Sequence, residues 1–412
     1  MSATDVADED APGDDTDDPF DAFNKAMGAG LVTDPYPDFV ALRAEGPIVR
    51  ADLGPGMAGP GLPEIFQAVS YDAVQEILRD GERFSSSGYA EVIGAVMGHT
   101  ILEMDEPEHH AYRSLIQQAF TRKAMQSWEH ELVVPIVDEL IDGFATDGRS
   151  ELVSKLFFPF PVNVIAGLLG LPRADLPIFH RLTVELISTS IDMDVARRAS
   201  VGLAEYLTPF IHLRRDDPGP DLISVLTRAE HDGHHLSDDE ILAFCRLLLP
   251  AGAETTYRSS SNLVFGLLTH PDQLAAVRAD RTLVNQAIEE GLRWEPPLLT
   301  ILRTATIDTE VCGVAVPAGA ALVINMGAAN HDETRWVDPG AFDIRREQKA
   351  HAAFASGVHM CLGMHLARME TRVVLERLLD RLPGLRVDPD APPPYITGMA
   401  FRAPPRLDVV WD

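Results

Sequence analysis

Residues 354–363 read Phe354-Ala-Ser-Gly357-Val-His359-Met-Cys361-Leu-Gly363, and a helical pattern follows from Leu362 to Leu382. A cysteine just ahead of a helix N-terminus meets unpaired amides and the positive end of the helix dipole, which favour its thiolate. Gly357 and Gly363 let the backbone turn tightly around the sulfur and approach a flat ligand. Phe354 can shield the sulfur from water. The bland alternative is an inert buried cysteine, since free Cys is among the most buried residue types.

Working outward, Ser237 and Glu240 form a capping box and Pro271 marks a stop, which predicts a helix over 237–269. Thirty-three helical residues would span about 50 Å, enough to cross a whole domain. Its middle reads Pro250-Ala251-Gly252-Ala253-Glu254-Thr255-Thr256. Proline removes a backbone donor and clashes with the preceding turn, so a kink facing a cavity is expected there. A carboxylate beside a hydroxyl can relay and hold protons. Thr256 rivals Thr255 for the hydroxyl on position alone. Glu290 and Arg293 lie i, i+3 on the next predicted helix, 283–294, where a plain surface pair is the simplest reading.

The run FxxGxHxCxG resembles the cysteine-ligand signature of the cytochrome P450 family. What the resemblance implies is a haem-thiolate monooxygenase with Cys361 as axial ligand of haem b, a sulfur whose electron density favours O–O cleavage. By the same resemblance, Phe354, Gly357, His359 and Gly363 shape the haem site, and His109, Arg113 and Arg303 join His359 on the propionates. Glu254 and Thr255 become the acid–alcohol pair. Glu290, Arg293 and Arg346 become a buried structural triad. The family often carries Asn-Arg-Asp where this chain has Asn330-His331-Asp332, which puts a peripheral salt bridge in doubt.

The expected fold is mainly α with a smaller β-rich part, the cytochrome P450 fold, with haem between the long kinked helix and the helix after the cysteine loop. Short strands are expected near 66–70, across 301–324 and in the Pro-rich C-terminus, and an irregular loop over 84–104. Residues 1–20 read as an acidic tail and 21–412 as one catalytic domain. The pocket candidates are Val92, Ile93, Val96, Met97, Leu247, Ala251, Leu298, Leu299 and Phe401. They imply an apolar organic substrate, with core packing an equal alternative for 92–97. Arg402 is the one candidate to anchor a carboxylate.

Of 412 residues, 46% are hydrophobic and 24% charged, which excludes wholesale disorder. A net charge of −29 argues against nucleic-acid binding. Three cysteines are too few for a secreted disulfide framework. No apolar run reaches membrane length, and the acidic N-terminus is the reverse of a signal peptide, so a cytoplasmic enzyme is expected. Electrons are expected from an iron–sulfur ferredoxin and its NAD(P)H-dependent reductase, docking near Arg113, Arg122, Lys123, Lys349, Arg368 and Arg372. A peroxide-driven enzyme and a non-catalytic haem sensor are the alternatives. Zinc on His359, Cys361 and His365 lacks a zinc-site spacing.

Overall fold

A computed structural model describes residues 32–51, 63–187 and 193–412. The reading of residues 1–20 as a tail falls outside them, as does the side chain of Val92. Seven helices frame the site: α1 (Tyr89–Met97), α2 (Glu108–Ile116), α3 (Met193–Asp216), α4 (Asp238–Leu248), α5 (Thr255–Thr269), α6 (Val284–Trp294) and α7 (Met364–Arg381).

The capping box that starts α4 is present, with Glu240 N–H donating to Ser237 Oγ and Ser237 N–H to Glu240 Oε2. From Leu249 to Glu254 the chain widens into a π-helical turn before α5 begins. The widening accommodates Pro250, which has no N–H to donate. The 237–269 segment is therefore α, π, α without a break. Gly252 has a packing reason as well: a Cβ there would lie 3.1 Å from Ile165 Cδ1. Twelve of the fifteen residues of α5 are buried, as in a helix enclosed on all sides.

Five strands form the main sheet: β1 (Ile48–Arg50), β2 (Ile65–Ala68), β3 (Phe84–Ser85), β4 (Thr300–Ala305) and β5 (Ala321–Asn325), in the order β1-β2-β5-β4-β3. The β2–β5 pair is parallel, with Ile65 opposite Ala321, and the others are antiparallel. A small second sheet joins Arg149–Glu151 to the C-terminal strands Arg386–Val387 and Asp408–Val410.

One expectation is overturned. Residues 84–104 are not an irregular loop, because Tyr89–Met97 is a helix between Gly88 and Gly98. Tertiary bonds hold it at both ends: Ser200 of α3 donates to the Val96 carbonyl at 2.6 Å, and Leu302 N–H donates to Tyr89 Oη. Asp332, in the turn that departs from the family pattern, accepts from Tyr71 N–H at 2.8 Å and lies 3.9 Å from Arg43. His331 stacks on Tyr36 and donates to the Trp294 carbonyl.

Candidate active site

The cysteine loop is built on a backbone that requires glycine. Gly357 has φ +75°, and a Cβ on it would sit 2.0 Å from the Leu78 carbonyl oxygen. Gly363 is different. Its φ is −82° and a Cβ there would meet nothing within 4 Å, so the chain itself imposes no steric need for glycine at that position. Cys361 N–H donates to the Phe354 carbonyl at 3.0 Å, closing the loop. Part of Cys361 is accessible, yet enough chain surrounds it that burial pushes its thiol pKa up. The Gly363 N–H, Arg113 and Arg368 act in the opposite sense and favour the thiolate.

A cluster that the sequence did not reveal fixes this loop. Arg368 of α7 makes a two-point ion pair with Glu289 of α6, at 2.6 and 2.9 Å, and lies 4.4 Å from the Phe354 ring centre. His351 reaches the same carboxylate. Burial would raise the Glu289 pKa, but hydrogen bonds from Arg368 and His351 outweigh it and hold the carboxyl at about 2. Nothing in the local spacing of residue 289 announces a partner 79 positions away.

Glu290 and Arg293, next along α6, are fully buried rather than a surface pair. Glu290 takes two 2.8 Å bonds from Arg293 and a 3.2 Å bond from Arg346. Arg293 also donates to the carbonyls of Asn330, Pro339 and Ala341, and Arg346 to those of Val337, Asp338 and Ala341. Asn330 Oδ1 in turn accepts from Ala352 N–H, two residues before Phe354. The triad therefore braces the approach to the cysteine loop and touches no reacting group.

Four basic groups gather beside it. His109 and His359 pack ring on ring at 4.1 Å. Arg303 is only 5% exposed, and among the described residues no carboxylate is ion-paired with it. Arg113, the i+4 neighbour of His109, instead donates to the Met360 carbonyl at 2.7 Å. Burial and the neighbouring cations push His359 down to about 3. His109 Nδ1 contacts Glu106, while its buried Nε2 has no partner. Buried cations and an orphaned ring nitrogen of this kind suit a ligand that brings two carboxylates.

On the central helix, Leu247, Ala251 and Thr255 form an accessible stripe at spacing four, while Leu249, Ala253, Glu254 and Thr256 beside them are buried. Thr255 Oγ1 donates to the Ala251 carbonyl at 2.6 Å. Glu254 is not open to solvent: it is 3% exposed and pairs with Arg258 at 3.0 Å. Burial raises its pKa against the opposing pull of Arg258. Arg258 lies 5.5 Å from the centre of the Phe401 ring, and Phe401 bridges to Leu298. The i, i+4 spacing of Glu254 and Arg258 was the available signal for that pair. Thr256 turns away, its hydroxyl 3.4 Å from the buried Glu370 of α7.

Three pocket candidates are core residues. Val96 and Met97 pack against α3 and α4, and Leu299 packs with Phe39, Val69 and Ala328. Ile93 is partly buried at the edge of the same core. Arg402 is fully engaged by Glu295 and the carbonyls of Gly398 and Thr33, so it has no fork left for a substrate carboxylate. Arg368 and Arg372 are ion-paired, and Arg122 and Lys123 are exposed without a paired acid among the described residues. No described group of side chains could hold a bare metal ion, and no described helix is long and apolar enough to cross a membrane.

A family model described as Cytochrome P450 matches residues 172–409. The chain is 36% identical over 376 residues to the cytochrome P450 monooxygenase PikC of Streptomyces venezuelae, covering 88% of this chain and 87% of that one. It is 35% identical to a steroid C26-monooxygenase of Mycolicibacterium smegmatis over 84% of this chain and 87% of the other. The crystal structure of CYP109E1 from Bacillus megaterium with testosterone is similar at TM-score 0.83, with 30% identity over 92% of this chain and 99% of that chain.

Proposed function

Since the chain belongs to the cytochrome P450 family and is a haem-thiolate monooxygenase, we propose that it inserts one atom of O2 into an apolar organic substrate held along Leu247, Ala251 and Thr255. Haem b bound through Cys361 supplies the iron that activates dioxygen, and the sulfur's electron density favours O–O cleavage. The residues fit that group on two counts. Cys361 is accessible at the head of α7, where the Gly363 amide, Arg113 and Arg368 oppose the burial that raises its thiol pKa. Arg303, without an ion-paired acid among the described residues, and His109, with its orphaned Nε2, suit two carboxylates. With Nδ1–H given to Glu106, His109 offers Nε2 as a donor only as imidazolium, so a carboxylate beside it favours its protonation.

The single observation that carries the reading is the accessible stripe Leu247, Ala251 and Thr255 on the central helix, flanked by the buried Leu249, Ala253, Glu254 and Thr256. Its apolar members bind an apolar skeleton and exclude water. Thr255, at the end of the stripe, can swing its hydroxyl from the Ala251 carbonyl into the pocket and hold a proton there. Glu254 supplies protons only once its bond to Arg258 loosens. Electrons come from a ferredoxin and its NAD(P)H-dependent reductase, with Arg122 and Lys123 as exposed cations for an acidic partner. We place the enzyme in the cytoplasm, a reading supported by its three free cysteines.

Purified protein with the two redox partners should consume NAD(P)H and O2 and form an oxygenated product. Cys361→Ala should abolish the red-shifted Soret band of the reduced carbon monoxide complex; an unchanged band removes the ligand assignment. Thr255→Ala should divert electrons into hydrogen peroxide, measured as peroxide formed per NAD(P)H consumed. Full coupling in that variant contradicts its proton role.

A further inference from the structure

A cation stands beside the start of the apolar stripe, about 100° round the helix from Leu247. Arg246 directly precedes Leu247 on α4 and is partly buried. Its Nε and Nη2 both donate to one acceptor, the Ser200 carbonyl, at 3.2 and 3.0 Å. Its Nη1 lies beside Gly98, 3.9 Å from where a Cβ would stand, and makes no hydrogen bond among the described residues. No carboxylate among the described residues is ion-paired with it. Five other arginines around the site differ: Arg258, Arg293, Arg346, Arg368 and Arg402 each hold a glutamate. Arg303, already assigned to the haem propionates, shares the lack of an ion-paired acid among the described residues.

A partly desolvated guanidinium whose nearby acid, Asp239, acts only through space and not by a hydrogen bond is incompletely compensated, and its remaining N–H groups can meet a carboxylate. The position is also rigid. The Ser200 hydroxyl of α3 donates to the Val96 carbonyl of α1 and the Ser200 carbonyl accepts from Arg246 of α4, so three helices are tied together at Ser200. The long-range field of a chain with net charge −29 repels anions, so any preference for one needs such a local cation.

Resting on the monooxygenase reading, we propose that Arg246 is an anion anchor of the substrate site. The substrate is then an apolar compound with a carboxylate at the end remote from the oxidised carbon. Arg246 stands nine positions before Thr255, and because 249–254 is π-helical the axial separation is below the ~14 Å that nine α-helical steps would give. The role as a helix staple through Ser200 uses two of the guanidinium nitrogens and leaves the third for the ligand.

The test titrates haem-loaded protein with three acid–ester pairs: dodecanoate, lithocholate and 4-biphenylcarboxylate, each against its methyl ester. Binding is read as the low- to high-spin shift and independently by calorimetry. In at least one pair the wild type should bind the acid roughly tenfold to a hundredfold more tightly than the ester, the usual effect of a charged hydrogen bond. Added salt should erode that preference. Arg246→Gln should level acid and ester, and Arg246→Lys should keep part of the preference, which serves if the glutamine variant does not hold haem. Equal or tighter binding of the ester in every pair, no binding by any acid, or an acid preference that survives in Arg246→Gln overturns the anchor. Esters that shift the spin state while acids do not leave the monooxygenase reading standing. A wild type without the red-shifted carbon monoxide band fails that reading itself.

Discussion

At Gly357 the whole cysteine loop depends on one missing carbon. The clash a Cβ would create is with backbone, which cannot rotate aside as a flexible side chain could, and the positive φ adds strain. Gly357→Ala should therefore fold with little or no haem, read as a lower Soret-to-protein absorbance ratio. Full haem content in the variant would contradict this account. Residues of this kind were legible because glycine and cysteine at fixed spacing carry their own physical requirement. Arg246 was not, because an arginine on a helix is ordinarily a solvated side chain and only the neighbours brought by the fold make this one unusual. Arg258 offered its i, i+4 spacing to Glu254 but nothing that announced its burial. Arg402 shows the reverse error, a cation that looked available and is enclosed by Glu295 and backbone carbonyls.

Between α5 and α7 runs a seam of hydroxyls, with Ser259 and Ser260 within 3.5 Å of Thr371 and Thr256 near Glu370. Glu370 is 3% exposed, and burial pushes its carboxyl up to about 8 despite the opposing bond from Thr256. Its folded-state pKa is raised, so the native protein holds a proton that the unfolded chain releases above its ordinary carboxyl pKa. Stability should then fall as pH rises from about 4.5 towards 8, by at most about 1.4 kcal/mol per pH unit from this group. Glu370→Gln should remove that slope. Unfolding temperatures of the haem-loaded protein at pH 5, 6.5 and 8 check it, and parallel wild-type and variant curves would refute it. The long helix was legible from its capping box and its proline. The Tyr89–Met97 helix was not, because Gly88, Gly94 and Gly98 read as loop punctuation while bonds from Ser200 and Leu302 hold the helix from outside.

On the scale of the molecule, Glu290 joins α6 to the stretch from 330 to 346 and through Asn330 to the cysteine loop. Removing one member of a buried ion pair strands the other, at a cost of about 3–5 kcal/mol. Glu290→Gln should sharply lower the yield of soluble, haem-containing protein, and a normal yield with an unchanged unfolding temperature would show that the brace is dispensable.

The main sheet sets a different condition. Its first three strands are complete by residue 85, yet β2 finds its parallel partner only at Ala321–Ile324 and β3 pairs with β4 at Thr304 and Ala305. During synthesis the early strands therefore emerge with open edges and wait, while all the intervening helices are made, before the ribosome delivers the segments that close them. Such delayed, long-range pairing is slow and exposes the nascent chain to aggregation. Slower translation at low temperature, or added chaperones, should raise the recovered fraction of this enzyme more than changes to its surface would.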